Sequence, residues 1–502
     1  MNHYDVLIVG AGIGGLTCGA RLAIRGYKVA VFDHHYLPGG YATNFHRKGY
    51  TFDVALHGVG GLAEGQSFYQ ILHSCDVMQH IHPIPKEHPY SVRWNGQKMN
   101  IPQDVQAYRL FLHELFPAEK EGIDHLFQDI HKLQREINFI TDSRIANWKK
   151  AVLIPVKCRI LMKWSNLTTD QVMKQYTKDE EFMIFFTVLW GYYGLPPQQL
   201  SSLYFFIPWI GYHIEGSYYI QGGSQSLADA FVNVIEENGG TLYLSHEVTE
   251  ILVNHQQAYG VQTHHMMKFT GNWVVSNASP QQTLGKLVGT DPRVESYLTK
   301  ISKKQIGSSI TQLYIGLSCH PEEIGIYDED LLFVEESDHQ TDSHHLMQGR
   351  YDIANFSVTN YSKLDPSLNH YNQGVIVISL LDDIRNWDED KKSYQQRKKE
   401  VTAILLQRLE SYFPSLRDKV VITELATPRT MERYTKNPGG AVYGFAQTVN
   451  QAGLKRTNQK TPISRLSLVG AWTQPGGGFQ GASMSGFNEA ERIHKQLMKD
   501  RK

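Results

Sequence analysis

The fold is decided by the stretch Tyr4-Asp-Val-Leu-Ile-Val-Gly10-Ala-Gly12-Ile-Gly-Gly15-Leu16. The apolar run that ends at Gly10 is typical of a buried parallel strand. Gly10, Gly12 and Gly15 have the G-x-G-x-x-G spacing. In that motif the first glycine allows a tight turn, the second lets a pyrophosphate approach the backbone, and the third lets a helix pack on the strand. The stretch therefore predicts the strand, turn and helix of a Rossmann-type nucleotide-binding unit.

A second strand is predicted from Lys28 to Phe32, and it ends at Asp33. A carboxylate at about 20 residues after the glycine motif is placed to bind the adenosine ribose. It would also repel a 2′-phosphate, so the sequence favours an adenosine half of the NAD or FAD type over NADP. The alternative is a glycine-rich turn that binds no nucleotide.

Composition excludes several classes of protein. The chain has 502 residues and a net charge of −1, so two connected domains are expected, and no nucleic acid is expected as a partner. Its four cysteines form no C-x-x-C pair, which is typical of reduced thiols in a cytoplasmic protein. The apolar start lacks the basic residues of a signal peptide. No apolar run reaches about 18 residues, so no spanning helix is predicted.

The nucleotide-domain pattern returns twice after the first strands. A helix is predicted before Gly239-Gly240, and the strand Leu466–Gly470 precedes Pro475 and Gly476–Gly478. A terminal helix is predicted from about 481 to 499. We therefore predict an α/β fold in which two domains are interleaved. The first is a Rossmann-type, glutathione-reductase-like domain of residues 1–64, 216–284 and 441–502, and the second is a mixed α+β substrate domain of residues 65–215 and 285–440.

The substrate domain divides into two parts by pattern. Apolar residues from Ile123 to Ile137 step by three and four, so 65–215 is predicted as a helical insertion. Residues 285–440 are predicted to be rich in strands, with one helix at about 393–412. We expect most of the insertion's aromatic side chains to form its core and some of them to line a tunnel for an apolar substrate. They are Phe182, Phe185, Phe186, Trp190, Phe205, Phe206 and Trp209.

A basic and apolar segment runs from Trp148 to Trp164. Lysines among apolar residues and tryptophans are typical of a membrane interface. The alternative is an amphipathic core helix with a solvated basic face. Pro155 is expected to kink or break a helix here.

Four motifs make the chain resemble FAD-dependent oxidoreductases of the phytoene desaturase, carotenoid isomerase and retinol saturase group. They are Gly10–Gly15 with Asp33; Pro38-Gly39-Gly40-Tyr41-Ala42-Thr43 through Phe52-Asp53; Tyr219-x-x-Gly222-Gly223-Ser224 with Val248; and Val469-Gly470-Ala-Trp-x-x-Pro475-Gly-Gly-Gly478 through Ser485-Gly486. Phe52-Asp53 with His57, and Asn437-Pro438 through Tyr443-Gly444, are most similar to the retinol saturase and carotenoid isomerase members. The resemblance covers both ends of the chain.

The resemblance implies FAD as the cofactor and assigns residues to it. They are Gly10, Gly12, Ile13, Gly14, Gly15, Asp33, His34, Gly39, Gly40, Tyr41, Ala42, Val248, Asn277, Gly470, Gly478, Phe479, Gln480 and Gly481. The family often has Arg where this chain has Tyr41, and Pro where it has Gln480, so those two contacts are not carried over in detail. The last helix would aim its positive end at the flavin and favour the anionic reduced form.

Two residues are candidates for catalysis, His57 and Tyr443, although each is equally compatible with packing. Tyr219 is a weaker candidate for the substrate side. No second strand–G-x-G-x-x-G–helix unit occurs, so no nicotinamide domain is predicted. A quinone, oxygen or a redox protein is then expected as the electron partner. The pairs His34-His35 and His344-His345 lack the spacing of metal ligands, so no metal is predicted.

We therefore expect an FAD-dependent oxidoreductase that acts on carbon–carbon double bonds of a long, hydrophobic, conjugated substrate of the carotenoid or retinoid kind. Desaturation, saturation and cis–trans isomerisation stay open. The alternatives are a flavin amine oxidase and a non-catalytic protein that binds flavin or lipid. The expected location is the cytoplasm, with peripheral attachment to the cytoplasmic membrane as a further expectation.

Overall fold

A computed structural model describes residues 2–142, 145–335, 338–370, 372–387 and 390–500. The strands of this part of the chain are β1 Asn2–Val9, β2 Val29–Phe32, β3 Asn44–Arg47, β4 Tyr50–Asp53, β5 Val59–Gly60, β6 Pro83–Pro85, β7 Ser91–Trp94, β8 Gln97–Asn100, β9 Ser217–Ile220, β10 Thr241–Tyr243, β11 Val248–Asn254, β12 Gln257–Thr263, β13 Lys268–Ser276, β14 Ser309–Leu317, β15 Asp330–Val334, β16 Phe356–Asn360, β17 Gly374–Asp382, β18 Val420–Ala426 and β19 Leu466–Leu468. The α-helices are α1 Ile13–Ile24, α2 Ser67–Ser74, α3 Val105–Leu115, α4 Lys120–Thr141, α5 Asn147–Lys157, α6 Arg159–Trp164, α7 Thr169–Met173, α8 Glu180–Phe186, α9 Ser202–His213, α10 Ser224–Glu237, α11 Pro292–Ile301, α12 His339–Met347, α13 Tyr361–Leu364, α14 Lys391–Tyr412, α15 Pro428–Thr435 and α16 Phe479–Asp500.

The first sheet has the strand order β10-β2-β1-β13-β12-β11, and β19 also pairs with β13. The strands β10, β2, β1, β13 and β19 are parallel to one another, whereas β12 is antiparallel to both β13 and β11. Residues 6–9 of β1 are buried, as are all four residues of β2, because helices and the antiparallel strands cover both faces. The helices α1, α10 and α16 pack against this sheet and share a hydrophobic core with it. The predicted α/β class is confirmed.

The second sheet has the order β18-β14-β17-β16-β15-β7-β8. It is antiparallel except for the pair β15 and β7. Val401, Leu405 and Leu409 of α14 pack into a core with the inner side chains of this sheet. The boundaries of the two predicted domains stay a prediction, although each sheet has its own packing partners.

The segment predicted as a helical insertion also contains strands. Ser91–Trp94 and Gln97–Asn100 form the hairpin β7–β8, which extends the second sheet. The turn between them is Asn95-Gly96, with φ of 49° and 77°. An Asn-Gly pair between two short strands is a strong hairpin signal, and it identifies the hairpin from sequence.

The insertion also contains α2, which packs on the core of the first sheet, and the short strand β6. Its helices α3 to α9 form a helical layer. Its core is rich in aromatic side chains, among them Phe186, Phe206 and Trp209. Pro155 lies inside α5, which ends two residues later at Lys157. Among the described residues, no helix has both the length and the apolarity that a membrane span requires.

Candidate flavin and substrate cavity

A cavity of about 1950 Å³ runs through the centre of the protein. A site for a single ligand usually measures about 300–1,000 Å³, so this cavity has room for two. One end is lined by the turn after β1 and by the loop before α16, and the other by α4, α5 and α9. We call these the nucleotide end and the chamber.

The nucleotide end is built from backbone. The turn after β1 begins at Gly10, whose φ of 98° suits glycine. Its second glycine, Gly12, lies beside Gly39, where a single β-bridge joins the two segments. The N–H of Gly39 donates to the carbonyl of Ala11 at 2.7 Å. The absence of side chains at Gly12, Gly39 and Gly40 leaves both segments open to the cavity.

Other glycines of this end serve packing. A Cβ on Gly15 would lie 2.2 Å from the carbonyl oxygen of Gly10, and one on Gly14 would lie 2.6 Å from the Cα of Gly470. Asn277 fits between these segments, with its side chain against Gly12 and Gly470. Gly15 and Gly470 do not line the cavity, and their contact with the cofactor stays a prediction. The sixteen other residues assigned to FAD line it.

Asp33 follows β2 and faces the cavity. Its carboxylate accepts the backbone N–H groups of Ala11 at 2.7 Å and His35 at 2.8 Å. The Nδ1 atom of His34 lies 3.1 Å from the same carboxylate. The Nε2 atom of His34 is buried and has no hydrogen-bond partner among the described residues. A buried polar atom is rarely left without a partner, so His34 fits a ligand that supplies one, such as a ribose hydroxyl.

The loop 476–478 and the start of α16 form the opposite wall. Gly478 has a φ of 81°, and a Cβ there would meet no atom within 4 Å. The helix α16 begins at Phe479, next to this space. A helix start presents free N–H groups and about half a positive charge. The side chain of Gln480 donates to Ser67 Oγ at 2.7 Å. The donor groups and the open space fit FAD.

Tyr41 connects this end to the loop before Tyr443. Its hydroxyl donates to the carbonyl of Gly440 at 2.9 Å. Burial raises the pKa of Tyr41 above its ordinary value, so the phenol stays neutral. Ala42 and Val248 line the cavity on the same side.

His57 lies at the border of the nucleotide end and the chamber. Its Nδ1 atom is 2.8 Å from Asp330 Oδ2, and its ring packs on Tyr192 with the ring centroids 4.2 Å apart. The Nε2 atom has no hydrogen-bond partner in the described part of the chain, and the side chain is 21% exposed. His57 thus presents one ring nitrogen to the cavity while Asp330 fixes the other.

Asp330 is fully buried and shared by three donors. Lys86 Nζ lies 3.2 Å from its Oδ2, and the hydroxyl of Thr359 donates to its Oδ1 at 2.7 Å. Burial by itself would raise the pKa of Asp330, but the charge of Lys86 and the contact with His57 outweigh burial and lower that pKa. The group therefore stays an anion. Sequence reasoning missed both Asp330 and Lys86, because they lie 273 and 29 residues from His57.

The chamber is lined by tyrosines. Tyr204 donates its hydroxyl to the carbonyl of Gly477 at 3.2 Å, and Tyr212 donates to Gly58 at 3.0 Å. The ring of Tyr443 packs against Gly477, and its hydroxyl has no hydrogen bond to any described residue. Burial raises the pKa of Tyr204, Tyr212 and Tyr443 above the ordinary value. These side chains are therefore neutral.

The seven aromatic residues predicted for the insertion's core and tunnel lie mostly outside the cavity. Trp190 lines the cavity, but the other six are buried in the helical core and do not reach it. Tyr219 is likewise away from the cavity, and its hydroxyl donates to Asp53 Oδ2 at 2.9 Å. The prediction that most of the seven residues form the core is confirmed, and Trp190 is the one member of the set that reaches the cavity.

Asp53 explains two of the sequence motifs. Its buried carboxylate also accepts the N–H of Ser224 at 2.6 Å and its hydroxyl at 2.8 Å. Two further N–H groups, of Ala55 and Leu56, donate to it. Burial raises the pKa of Asp53, and the hydrogen bonds oppose that rise. The residue joins the β4 segment to the start of α10, so Phe52-Asp53 and Tyr219–Ser224 are one structural unit.

The comparisons with known proteins agree with this geometry. Residues 13–494 match a family model described as flavin containing amine oxidoreductase. The chain belongs to this family. FAD is accordingly its cofactor, and the protein is an FAD-dependent oxidoreductase.

Three proteins illustrate the range of similarity. The chain is 27% identical to prolycopene isomerase 1, chloroplastic, of an Oncidium hybrid cultivar, with 99% of this chain and 84% of that protein covered. It is 24% identical to the all-trans-retinol 13,14-reductase of Danio rerio, with 93% and 82% covered. An oxidoreductase structure from Methanosarcina mazei superimposes with a TM-score of 0.63 at 18% identity, covering 97% of this chain and all of that one. The last comparison shows the shared fold.

Proposed function

We propose that FAD lies at the nucleotide end and that the chamber binds a long, apolar, conjugated polyene whose carbon–carbon double bonds react. The observation that carries this proposal is the continuity of one cavity of about 1950 Å³ from the glycine segments to the tyrosine-lined chamber. The names of the relatives support it, since prolycopene and retinol are both conjugated polyenes.

The cofactor would be held mainly by backbone. Gly12 and Gly39 would face the pyrophosphate with backbone, and Asp33 with His34 Nε2 offers partners to the ribose. The free N–H groups at the start of α16 would face the flavin. Bound FAD supplies electron exchange with a carbon–carbon double bond.

His57 would hold or move the proton that such a reaction needs. Its Nδ1–H donates to Asp330, so the free Nε2 is the atom that accepts a proton from the substrate or donates one to it. Lys86 keeps Asp330 ionised and thereby keeps His57 in one tautomer. Tyr443 presents a neutral hydroxyl to the same space.

The reaction class follows from what happens to the substrate's mass. Purified holoprotein would be incubated without oxygen with a carotenoid or retinoid in detergent, once with its flavin reduced by dithionite and once with oxidised flavin and a quinone as electron acceptor, and the product analysed by mass spectrometry. Gain of two hydrogens identifies saturation, loss identifies desaturation, and an unchanged mass with a new retention time identifies isomerisation. No change in any polyene, together with peroxide formation from amines in air, would replace this proposal by a flavin amine oxidase.

The helix α5 supports a second element of the proposal, contact with an anionic membrane surface. Trp148, Val152 and Val156 recur at every fourth residue and are 67%, 67% and 63% exposed. The opposite face carries Lys150 and Ile154, which line the chamber. Residues 147–164 contain five basic and no acidic side chains. An exposed apolar stripe with basic neighbours suits an anionic bilayer, and it would place the chamber next to an apolar substrate.

Vesicle flotation tests this contact. The protein should float with vesicles that contain phosphatidylglycerol and stay unbound with pure phosphatidylcholine. The double variant Trp148→Ser, Val152→Ser should lose at least about tenfold in vesicle affinity, because it removes most of the apolar stripe. Met266→Ser, which changes a side chain 72% exposed elsewhere, is the matched control. Equal binding of both variants would contradict the contact.

A further inference from the structure

Arg456 is a buried cation outside the groups discussed so far. The residue is 3% exposed. Its guanidinium donates only to neutral oxygens. They are the carbonyls of Tyr443, Phe445, Ala471 and Thr473 and the side-chain oxygen of Gln447. It connects two segments, residues 443–447 and 471–473.

The charge of Arg456 has no counter-ion within the described residues. Each of its hydrogen bonds goes to a dipole, and no carboxylate forms an ion pair with it. Burial lowers the pKa of Arg456 to about 10, so the group is still protonated at neutral pH. A buried charge without a counter-ion is strongly unfavourable, and the five oxygens that the guanidinium contacts are dipoles without a net charge. Hydrogen bonding to these oxygens therefore does not explain why a cation is buried here.

The position of Arg456 indicates where an anion would lie. Tyr443 and Ala471, whose carbonyls it binds, line the cavity. The ring of Tyr443 packs on Gly477, and α16 begins six residues after Thr473. The positive end of α16 and the guanidinium thus act on the same wall of the cavity. The chamber ligand we propose is neutral, so the cofactor is the group that becomes negative there.

We infer that Arg456 stabilises the singly charged reduced form of FAD from behind this wall. Two electrons from a donor and one proton from solvent convert the neutral oxidised ring into a reduced ring with one negative charge. The inference rests on the proposed position of FAD. Arg456 is a positioning and electrostatic residue, since its hydrogen bonds hold the wall and its charge acts through it.

The midpoint potential of the bound flavin tests the inference. Arg456→Gln keeps donors for part of the network and removes the charge, whereas Arg456→Lys keeps the charge and loses most of the network. We expect Arg456→Gln to lower the equilibrium constant for reduction about 100-fold, which corresponds to a potential about 59 mV more negative. Arg456→Lys should change it less than about tenfold. Equal shifts in both variants, or no shift in Arg456→Gln, would show that Arg456 only holds the loops.

The wild-type protein provides a measurement that does not depend on variant folding. The midpoint potential of the bound flavin is measured against pH in the acidic range, where unbound reduced FAD carries a proton on N1. Uptake of one proton per two electrons gives a slope of about 30 mV per pH unit, and uptake of two protons gives a slope of about 59 mV per pH unit. We expect the smaller slope, and the larger would overturn the inference.

The ionisable neighbours of Arg456 are Lys304, Lys455, Tyr204 and Tyr443, and burial raises the pKa of both phenols. A purified protein without flavin would instead refute the proposed cofactor site.

Discussion

The two ends of the cavity are built in opposite ways. The nucleotide end is shaped by missing side chains, since a Cβ on Gly12 would lie 2.6 Å from Asn277 Nδ2 and one on Gly39 would lie 1.9 Å from the carbonyl oxygen of Ala42. The chamber is shaped by side chains that are present, with His57, Asp330 and Tyr443 coming from distant segments. The nucleotide end is therefore damaged by adding atoms, and the chamber by removing polar ones.

The largest effect is expected when atoms are added at the nucleotide end. Gly12→Val would place a branched side chain against Asn277 and in the space between Gly12 and Gly39. We expect FAD affinity to fall by at least about 1,000-fold, or about 4 kcal/mol, and the protein to be purified without flavin. Absorbance in the visible range and FAD released on denaturation measure this.

The control for this prediction is Gly285→Ala. Gly285 is exposed, and a Cβ there would have its nearest neighbour at 3.5 Å, an ordinary contact. The control should keep full flavin content. If Gly12→Val also kept it, the glycine motif would not be part of the cofactor site.

The same contrast explains how far the sequence could predict the structure. The glycine turns, β2 with Asp33, and the start of α16 are local features, because spacing within a few residues decides them. The predicted helix at 393–412 is found as Lys391–Tyr412, and the last helix as Phe479–Asp500. The local patterns alone predicted an adenosine half of the NAD or FAD type. The FAD cofactor and the oxidoreductase class were implied by the family resemblance that these motifs carry, and both are confirmed.

The chamber could not be predicted because its residues meet only in the folded chain. His57 and Tyr443 were candidates, but Asp330 and Lys86 had no signal near His57 in sequence. Most of the insertion's aromatic residues lie in the helical core as predicted, but the sequence did not show which of them would reach the cavity, since periodicity shows that a face is buried and not what covers it. The hairpin β7–β8 could have been predicted, because its Asn95-Gly96 turn is a local signal in the sequence.

Removing a polar group from the chamber should give the next largest effect. His57→Gln keeps an amide near Asp330 but loses the group that exchanges protons. We expect kcat on the polyene to fall about 10²- to 10⁴-fold, the usual contribution of general acid–base catalysis, with flavin content unchanged. The rate of flavin reduction or oxidation by substrate measures the loss.

The exposed histidine His73 provides the control for this change, through His73→Gln. It should leave kcat unaltered. Asp330→Asn would reduce kcat as well and would also destabilise the fold, because it leaves Lys86 as a buried charge without its anion. Full activity of His57→Gln would assign His57 to packing.

A smaller effect, on the free energy of unfolding, is expected at His213, which lies behind the chamber wall. The ring is buried between Tyr108 and Trp209, and burial lowers its pKa from 6.5 to about 3. Above pH 6.5 the ring is neutral in both states. As the pH falls below 6.5, the unfolded chain binds a proton that the folded protein does not, so stability is lost. Between pH 6.5 and 5 this amounts to about 2 kcal/mol.

His213→Phe should remove that loss while keeping the stacked ring. Urea unfolding at pH 7 and at pH 5 measures the free energy of unfolding of both proteins, and the variant should lose less on acidification. His339, whose pKa burial lowers to about 4, keeps part of the pH dependence in both. An identical pH dependence of the two proteins would show that His213 is protonated in the folded state.

The smallest effect is expected at Asp33, a polar side chain of the nucleotide end. Its carboxylate already accepts the N–H groups of Ala11 and His35, and an asparagine side chain in its place would retain one acceptor oxygen for them. We expect Asp33→Asn to weaken FAD binding about tenfold, or about 1.4 kcal/mol, as measured by flavin fluorescence on titration of the apoprotein. Asp5→Asn, which changes a carboxylate at the other end of β1, should leave affinity unchanged. A loss at Asp33 as large as that at Gly12 would mean that the nucleotide end, like the chamber, is governed by polar side chains.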